Sequence, residues 1–300
     1  MTSVNSGVCP GLSTKGDLMI FDVHTHAHQA GSFSERHDRQ SVRILGRKID
    51  LISTVEAYQA GCKTAADEVK AIVFGGKARL SGIWTPDRYV AEYCAQDAEH
   101  MIPFLSLDPT QPGWRDELEE GHRDLKMKGI KLLPIYAGFY PHSPELDDLW
   151  SYAARHGLPV LAHTGTTYVE QAPLDCTLPR HLDAVAIKYP ECRIILGHLG
   201  HPYEGETVAV IRKHEHVYAD VAALYYRPFQ LYHSLMLAQE YNVWSKVLFA
   251  TDFPVTTVDA TMSGLRGLNT MVEGTRLPRL DPEEIEKLIH RDAGPLLGIG

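Results

Sequence analysis

The sequence is poor in cysteine, and its cysteines follow no pairing pattern. Five occur in 300 residues, an odd number, and no two are spaced as a CxxC pair. This disfavours the disulfide framework of a small secreted protein. Free thiols are typical of a reducing compartment, so the sequence predicts a cytoplasmic protein.

Long apolar runs and an excess of positive charge are also missing. No run approaches the roughly 20 apolar residues that cross a bilayer. Residues 1–16 lack a basic start followed by an apolar core, so we interpret them as a loose leader rather than a signal peptide. A formal net charge of −9 disfavours nucleic acid and acidic membranes as partners and leaves a small molecule as the expected ligand.

Short apolar runs alternate with amphipathic stretches along most of the chain. The apolar runs predict strands at residues 18–23, 69–74, 101–107, 129–133, 159–162, 193–196, 217–221 and 247–250. The amphipathic stretches predict helices at residues 49–60, 86–97, 114–126, 145–155, 180–188, 205–213, 228–241 and 282–290. Eight strand–helix units predict an α/β fold, a parallel barrel with helices outside, in a single domain over residues 17–300. An open doubly wound sheet is the alternative, because local patterns do not show closure.

Two connections are longer than usual. Residues 29–48 follow the first predicted strand and residues 254–280 follow the eighth. In a barrel, long loops after strands cover or shape the pocket, so we expect both to do so.

The first predicted strand ends in a histidine pair, His24 and His26. Side chains two apart on a strand point the same way, so both imidazoles face one direction. Two neutral imidazoles side by side can bind one divalent metal ion. A single HxH pattern is weak evidence, because it is common by chance.

Three further polar residues repeat this position at the ends of later strands. His163, His198 and Asp252 each follow an apolar run directly. The carboxyl ends of barrel strands are where catalytic groups converge. A lone residue of this kind is more often structural, but the repetition predicts a shared metal site.

At these residues the chain resembles the amidohydrolase superfamily, in the branch of the aminocarboxymuconate semialdehyde decarboxylase-like proteins. The resemblance rests on segments in the family's order that cover nearly the whole chain, FDVHTH at 21–26, GIKLLP at 129–134, HTG at 163–165, GHLG at 197–200, TDFP at 251–254 and LIHRDA at 288–293. It implies a (β/α)8 TIM barrel that binds a divalent metal, most often zinc, usually as one ion, with a second compatible.

The resemblance also implies roles for the strand-end residues. His24, His26 and His163 are the expected metal ligands. Asp252 is expected to touch the metal or its water and to transfer protons. His198 is expected either to bind a second metal or to polarise the substrate.

Other positions are less constrained by the motifs. Lys131 is expected as a free ammonium that grips a substrate carboxylate, with a carboxylated lysine bridging two metals as the alternative. Trp84 and Tyr136 follow predicted strands and are expected to contact substrate, although aromatic residues there are more often ordinary packing. His28 and His201 are additional histidines near the site, without an assigned role.

The function predicted from these observations is metal-dependent hydrolysis of a small polar, carboxylate-bearing molecule. Decarboxylation or hydration of an unsaturated or hydroxyaromatic acid at the same site is the main alternative. Phosphoesterases and TatD-type deoxyribonucleases also begin with HxH and rank lower. A non-catalytic barrel with a structural metal is the alternative of another class. A homo-oligomer is compatible with the sequence, but no motif indicates one.

Overall fold

All eight predicted strand regions form strands. The computed structural model describes residues 19–46, 50–64 and 68–299, so the predicted leader lies outside the described residues. The strands are β1 (Met19–His26), β2 (Glu68–Phe74), β3 (Lys77–Ala78), β4 (Ile83–Trp84), β5 (Met101–Pro103), β6 (Leu105–Leu107), β7 (Ile130–Leu132), β8 (Val160–Ala162), β9 (Ile194–Leu196), β10 (Val217–Asp220) and β11 (Val247–Leu248). The antiparallel hairpin β3–β4 was not predicted.

The third predicted strand is interrupted at Phe104. Its first half, β5, pairs with β2, and its second half, β6, pairs with β7, both in parallel. Phe104 itself stays in the ladder, because its N–H donates to the carbonyl of Val73 at 2.9 Å. The two halves therefore join the order β1-β2-β5 to the order β6-β7-β8-β9-β10-β11.

The sheet closes between its first strand and its last. The N–H of Val23 donates to the carbonyl of Phe249 at 3.1 Å, and the N–H of Asp252 donates to the carbonyl of His24 at 2.8 Å. Closure makes the fold a TIM barrel and rules out the open sheet.

Alternate residues of each strand face two different cores. Ile72 and Phe74 of β2 pack inside the barrel, whereas Ala71 and Val73 pack outside it against the helices. The period of two is what a strand buried on both faces requires.

Most of the helices cover the outside of the barrel, whereas α1 and α5 contribute residues to the cavity at its mouth. They are α1 (Glu35–Leu45), α2 (Val55–Ala60), α3 (Asp87–Cys94), α4 (Trp114–Glu119), α5 (Pro134–Ala137), α6 (Asp147–His156), α7 (Arg180–Lys188), α8 (Glu204–Lys213), α9 (Pro228–Glu240), α10 (Val258–Gly267), α11 (Pro282–Ile289) and α12 (Gly294–Leu297). No helix in the described part of the chain is long and apolar enough to span a membrane.

Two of these helices lie where long loops were predicted. The side chain of Ser34 accepts a hydrogen bond from His37 N–H at the start of α1, and Gly46 ends that helix in the left-handed conformation. The side chain of Thr257 caps α10 in the same way, by accepting from the N–H of Ala260. Each long connection therefore contains a helix with a capping residue at its start. Both connections also supply residues to the cavity at the barrel mouth, among them Ile44 and Val255, as expected.

Candidate active site

His24 and His26 point into the upper end of the barrel. The pairing of β1 with β2 shifts register between Asp22 and Thr25, which is a β-bulge. The bulge lets both Val23 and His24 face inward, because an extra residue re-aims the strand. The predicted shared direction of the two imidazoles is present.

The carboxylate of Asp252 lies between these imidazoles. Its Oδ1 is 3.2 Å from His24 Nε2 and 3.1 Å from His26 Nε2. These three side chains are close enough together to hold one divalent ion. Burial would raise the pKa of Asp252, but the hydrogen bonds with His24 and His26 outweigh it and hold that pKa well below its usual range. The carboxylate is therefore ionised and able to bind a cation.

The other ring nitrogens of this histidine pair are already occupied. His24 Nδ1 is 2.8 Å from Asp220 Oδ2, and His26 Nδ1 is 3.3 Å from the carbonyl of Gly75. Both acceptors hold a proton on Nδ1, so each Nε2 could give up its hydrogen bond to Asp252 and present a lone pair to a bound ion. This is the arrangement that a metal ligand needs.

His163 and His198 face each other instead. His198 Nε2 is 3.1 Å from His163 Nδ1, while His198 Nδ1 contacts the carbonyl of Ala222 at 3.0 Å and His163 Nε2 that of Thr166 at 3.3 Å. Each carbonyl accepts a hydrogen bond from one ring N–H. Burial holds the pKa of both imidazoles well below its usual range, so neither ring carries a second proton. The two facing nitrogens therefore share no proton.

A cation bound between these two nitrogens would remove the repulsion between their lone pairs. Two nitrogens about 2.0–2.1 Å from one ion lie roughly 3–3.5 Å apart, which includes the observed separation. His198 also belongs to a second possible ligand set with His24 and Asp220. Among the described residues His163 joins neither set directly, so its expected place beside His24 and His26 stays a prediction.

Lys131 is buried in the same cluster. Its Nζ lies 3.0 Å from His24 Nε2 and 4.3 Å from the ring centre of Phe74, and 1% of the residue is exposed. Burial lowers the pKa of Lys131 to about 7, although Asp252 and Asp220 act against that shift. As an ammonium it would compete with a metal for the lone pair of His24, whereas as a neutral amine it would not.

Asp220 organises the site from below. Besides contacting His24, its carboxylate accepts hydrogen bonds from the backbone N–H groups of His198 and Ala222, at 2.8 and 3.0 Å. The sequence suggested Asp220 only as a substrate contact near a strand end, because its partner His24 lies 196 residues away.

Asp22 was missed altogether. Its carboxylate accepts hydrogen bonds from the N–H of Thr251 at 3.0 Å, the hydroxyl of Thr251 at 2.7 Å and the hydroxyl of Tyr58 at 3.2 Å. Burial raises the pKa of Asp22 to about 7, against the effect of these bonds. Asp22 thereby ties β1 to the segment that carries Asp252.

Three candidate residues adopt backbone conformations that are rare for their type. His198, Leu199 and Asp252 all have positive φ, at 58°, 48° and 65°. Such strain is costly and concentrates at functional sites. Here it occurs just after the strand ends, and His198 and Asp252 both line the same cavity.

A cavity of about 390 Å³ opens above the cluster. His26, Lys131 and Asp252 form part of its floor, and Tyr136 lines it with its ring edge-on to His163 at 4.9 Å between centres. The predicted placement of Tyr136 beside the site is therefore present.

Trp84 does not line this cavity, so its prediction as a substrate contact is corrected. Its ring lies 3.7 Å from the Arg79 guanidinium carbon and borders a separate cleft of about 220 Å³. Strand β4 belongs to the unpredicted hairpin, and this hairpin turns Trp84 away from the barrel mouth.

Several residues without a predicted role line the cavity. His28 and His201 border it, as do Phe33, Tyr168 and Arg227. Arg227 and Lys131 are its two cationic side chains other than histidine among the described lining residues. The lining is thus rich in aromatic rings and includes one guanidinium.

Comparison with known families agrees with this site. The model of the amidohydrolase family, Amidohydro_2, matches residues 53–299. The chain belongs to the amidohydrolase family. This amidohydrolase is accordingly a metal-dependent hydrolase or lyase, of the aminocarboxymuconate semialdehyde decarboxylase-like branch. No curated protein matches its sequence significantly.

Solved structures share the fold at low sequence identity. An uncharacterized TIM-barrel protein from Bordetella bronchiseptica has a TM-score of 0.69 and 18% identity, covering 94% of this chain and 99% of its own. A probable 2-pyrone-4,6-dicarboxylic acid hydrolase from Acinetobacter baumannii, with citric acid bound, has a TM-score of 0.63 and 12% identity, covering 93% and 99%. A dihydroxybenzoic acid decarboxylase from Polaromonas sp. JS666, with manganese and the inhibitor 2-nitroresorcinol, has a TM-score of 0.61 and 15% identity, covering 93% and 96%.

Proposed function

We propose that this amidohydrolase hydrolyses a small, carboxylate-bearing molecule with the help of a divalent metal. The observation that carries the proposal is that Asp252 Oδ1 lies within 3.2 Å of both His24 Nε2 and His26 Nε2 at the floor of an open cavity. A structural zinc usually has four protein ligands and no open position. Ligands that border a cavity of ligand size favour catalysis.

The donor set suits a divalent ion of the first transition row. We propose His24, His26, His163 and Asp252 as its ligands, with zinc as the ion that the resemblance implies and manganese, as in the Polaromonas decarboxylase, as the alternative. When bound, such an ion polarises a substrate oxygen and lowers the pKa of a coordinated water towards about 7.

Asp252 is the proposed proton carrier. Its Oδ1 faces the two histidines, whereas its Oδ2 has no hydrogen-bond partner among the described residues. That oxygen is free to accept a proton from the attacking water and to deliver it to the leaving group. His198 is proposed to stabilise negative charge that develops on the substrate oxygen, a role that requires its Nε2 to gain a proton. As the neutral ring whose Nδ1–H donates to Ala222, it would instead offer Nε2 to a second ion.

The substrate carboxylate has two proposed partners. Lys131 lies at the floor and Arg227 at the rim, and a carboxylate between them would neutralise both. If Lys131 instead carries a carboxyl group, the facing nitrogens of His163 and His198 would serve a second ion, and Arg227 alone would bind the substrate. The metal content of the protein distinguishes these arrangements.

Decarboxylation is the second candidate. The aromatic wall of Phe33, Tyr136 and Tyr168 favours a planar, unsaturated substrate, and structural neighbours include hydroxyaromatic acid decarboxylases. In that reaction Asp252 would take a proton from the acidic substrate or from water and deliver it to the ring carbon as the bond to the departing carbon dioxide breaks. Release of carbon dioxide from a hydroxyaromatic acid would select this candidate.

A cytoplasmic location is a further proposal. All four described cysteines are free, which suits a reducing cytoplasm. A homo-oligomer also stays a proposal.

The test is metal analysis of the purified protein followed by a screen of lactones, amides and unsaturated carboxylic acids. We expect turnover that disappears when a chelator removes the metal and returns when the metal is restored. Full activity in a metal-free preparation would contradict the proposal.

A further inference from the structure

His28 has no role in the chemistry proposed so far, yet it is built into the cavity wall. It lies two residues after His26, and the two rings stack at 4.8 Å between centres with a 19° angle between their planes. The ring of Phe33 contacts it edge-on at 4.7 Å. Only 4% of His28 is exposed, and the residue lines the cavity.

A chain of hydroxyl groups fixes the protonation of this ring. Thr85 donates its hydroxyl proton to Ser32 Oγ at 3.0 Å, and Ser32 Oγ also accepts the backbone N–H of Gln29 at 3.0 Å. Thr85 has no second proton, so its oxygen accepts from His28 Nδ1, 3.0 Å away. With the Thr85 hydroxyl assigned as the donor to Ser32, the proton of His28 resides on Nδ1.

The other ring nitrogen is consequently an acceptor. Nε2 of His28 has no hydrogen-bond partner in the part of the chain that the structure describes. Gly76 lies beside the ring, and a Cβ at that position would come within 3.8 Å of His28 Cε1. His28 lines the ligand cavity, so an unpaired acceptor on its rigidly held ring can bind a hydrogen-bond donor of a ligand there.

We propose that His28 Nε2 accepts a hydrogen bond from a hydroxyl or N–H group of the substrate and so determines specificity. The inference rests on the proposed function, because the metal site must hold another part of the same planar molecule. A site built to bind a donor rejects an analogue without it, since the buried acceptor is then left unpaired.

Two probes that differ by one hydroxyl group test this inference. We would measure the dissociation constants of 2-nitroresorcinol and 2-nitrophenol for the manganese-loaded protein. We expect the first to bind about 10-fold more tightly, the effect of one buried hydrogen bond. His28→Phe keeps the stacked ring but removes the acceptor, so it should bring the ratio close to one by weakening 2-nitroresorcinol alone.

Two other variants keep the test decisive if His28→Phe folds poorly. His28→Gln restores an acceptor at similar reach and should retain part of the preference. Thr85→Val removes the acceptor for Nδ1, so the ring is no longer held in one state and the preference should fall. His233→Phe, on the exposed face of α9, is the matched control and should leave the ratio unchanged.

The inference is overturned if the wild-type protein binds both probes equally or binds neither. It is equally overturned if His28→Phe weakens both probes alike or leaves the ratio as it was. The proposed function is judged separately, by metal-dependent turnover in the substrate screen, so the two failures are distinguishable.

Discussion

At the scale of single residues, the hydrogen-bond partner of one ring nitrogen determines whether the other nitrogen of the same histidine can bind a metal. In His24 and His26 a carboxylate or carbonyl holds the Nδ1 proton, which leaves Nε2 free to bind a metal. In His163 and His198 carbonyls act in the same way, and two lone pairs are left facing each other.

Removing the first histidine pair should abolish metal binding. We expect His24→Asn combined with His26→Asn to yield protein that retains no divalent ion and has no turnover, because only His163 and Asp252 remain of the four proposed ligands. Elemental analysis after dialysis measures this. His233→Asn is the control at an exposed site, and metal retained by the double variant would refute the assigned ligands.

Asp220→Asn should weaken metal binding without destroying it. The amide cannot hold the Nδ1 proton of His24 as a carboxylate does, so we expect an affinity loss of about 10- to 100-fold. Competition with a chelating dye measures the change. An unaltered affinity would show that the 2.8 Å contact does not support the ligand.

Lys131→Met should stabilise the metal-free protein in a pH-dependent manner. Burial lowers the pKa of Lys131 in the folded state to about 7 from 10.5. The unfolded chain therefore binds more protons between these values, and wild-type stability rises with pH across that window, by at most about 1.4 kcal/mol per pH unit.

The gain from Lys131→Met should thus be largest near and below neutral pH and shrink as pH rises towards about 10. Urea unfolding in buffers free of metal and carbon dioxide measures it. Lys128→Met, at an exposed position, should show no such trend. A gain that is the same at every pH would contradict the lowered pKa.

The sequence could identify the strand-end residues but not their partners. His24, His26, His198 and Asp252 were recognisable because each ends or follows an apolar run. Asp220 and Asp22 act through contacts that span 196 and 229 residues, which no local pattern records. Trp84 was misplaced because its orientation depends on a hairpin of two-residue strands.

At the scale of elements, strand positions followed the hydrophobic pattern closely, whereas irregularities did not. The bulge in β1 and the break at Phe104 depend on how neighbouring strands fit together. Helices α1 and α10 were obscured by their polar composition, although each has a capping residue at its start.

Gly129→Ala should distort the broken strand. A Cβ at Gly129 would lie 2.4 Å from the ring of Phe104, which is fully buried. We expect a loss of about 1–3 kcal/mol in the free energy of unfolding, from overpacking. Gly205→Ala in α8 is the matched control, because its Cβ meets nothing within 4 Å.

That control should be neutral or stabilising by up to about 1 kcal/mol, since alanine favours the helix. Denaturant unfolding of both variants makes the comparison. Equal stability of the two would mean that the ring of Phe104 moves aside without cost.

At the scale of the whole molecule, a bound ion should stabilise the complete barrel. Its proposed ligands come from β1 and from the segments after β8 and β11, so binding requires the folded chain. We expect the melting temperature to rise with manganese concentration, by the equivalent of about 2.7 kcal/mol at 100 times the dissociation constant. The double variant of His24 and His26 should not respond, and an equal response in both proteins would place the ion elsewhere.

The contact between His26 and Asp252 also has a consequence for biosynthesis. The ribosome synthesises His26 early and adds Asp252 only 226 residues later. A nascent chain therefore exposes half of a coordination sphere for most of its translation and is unable to retain metal tightly. The chain would thus bind its metal after synthesis ends. A bound metal would then indicate that the last strand has paired with the first.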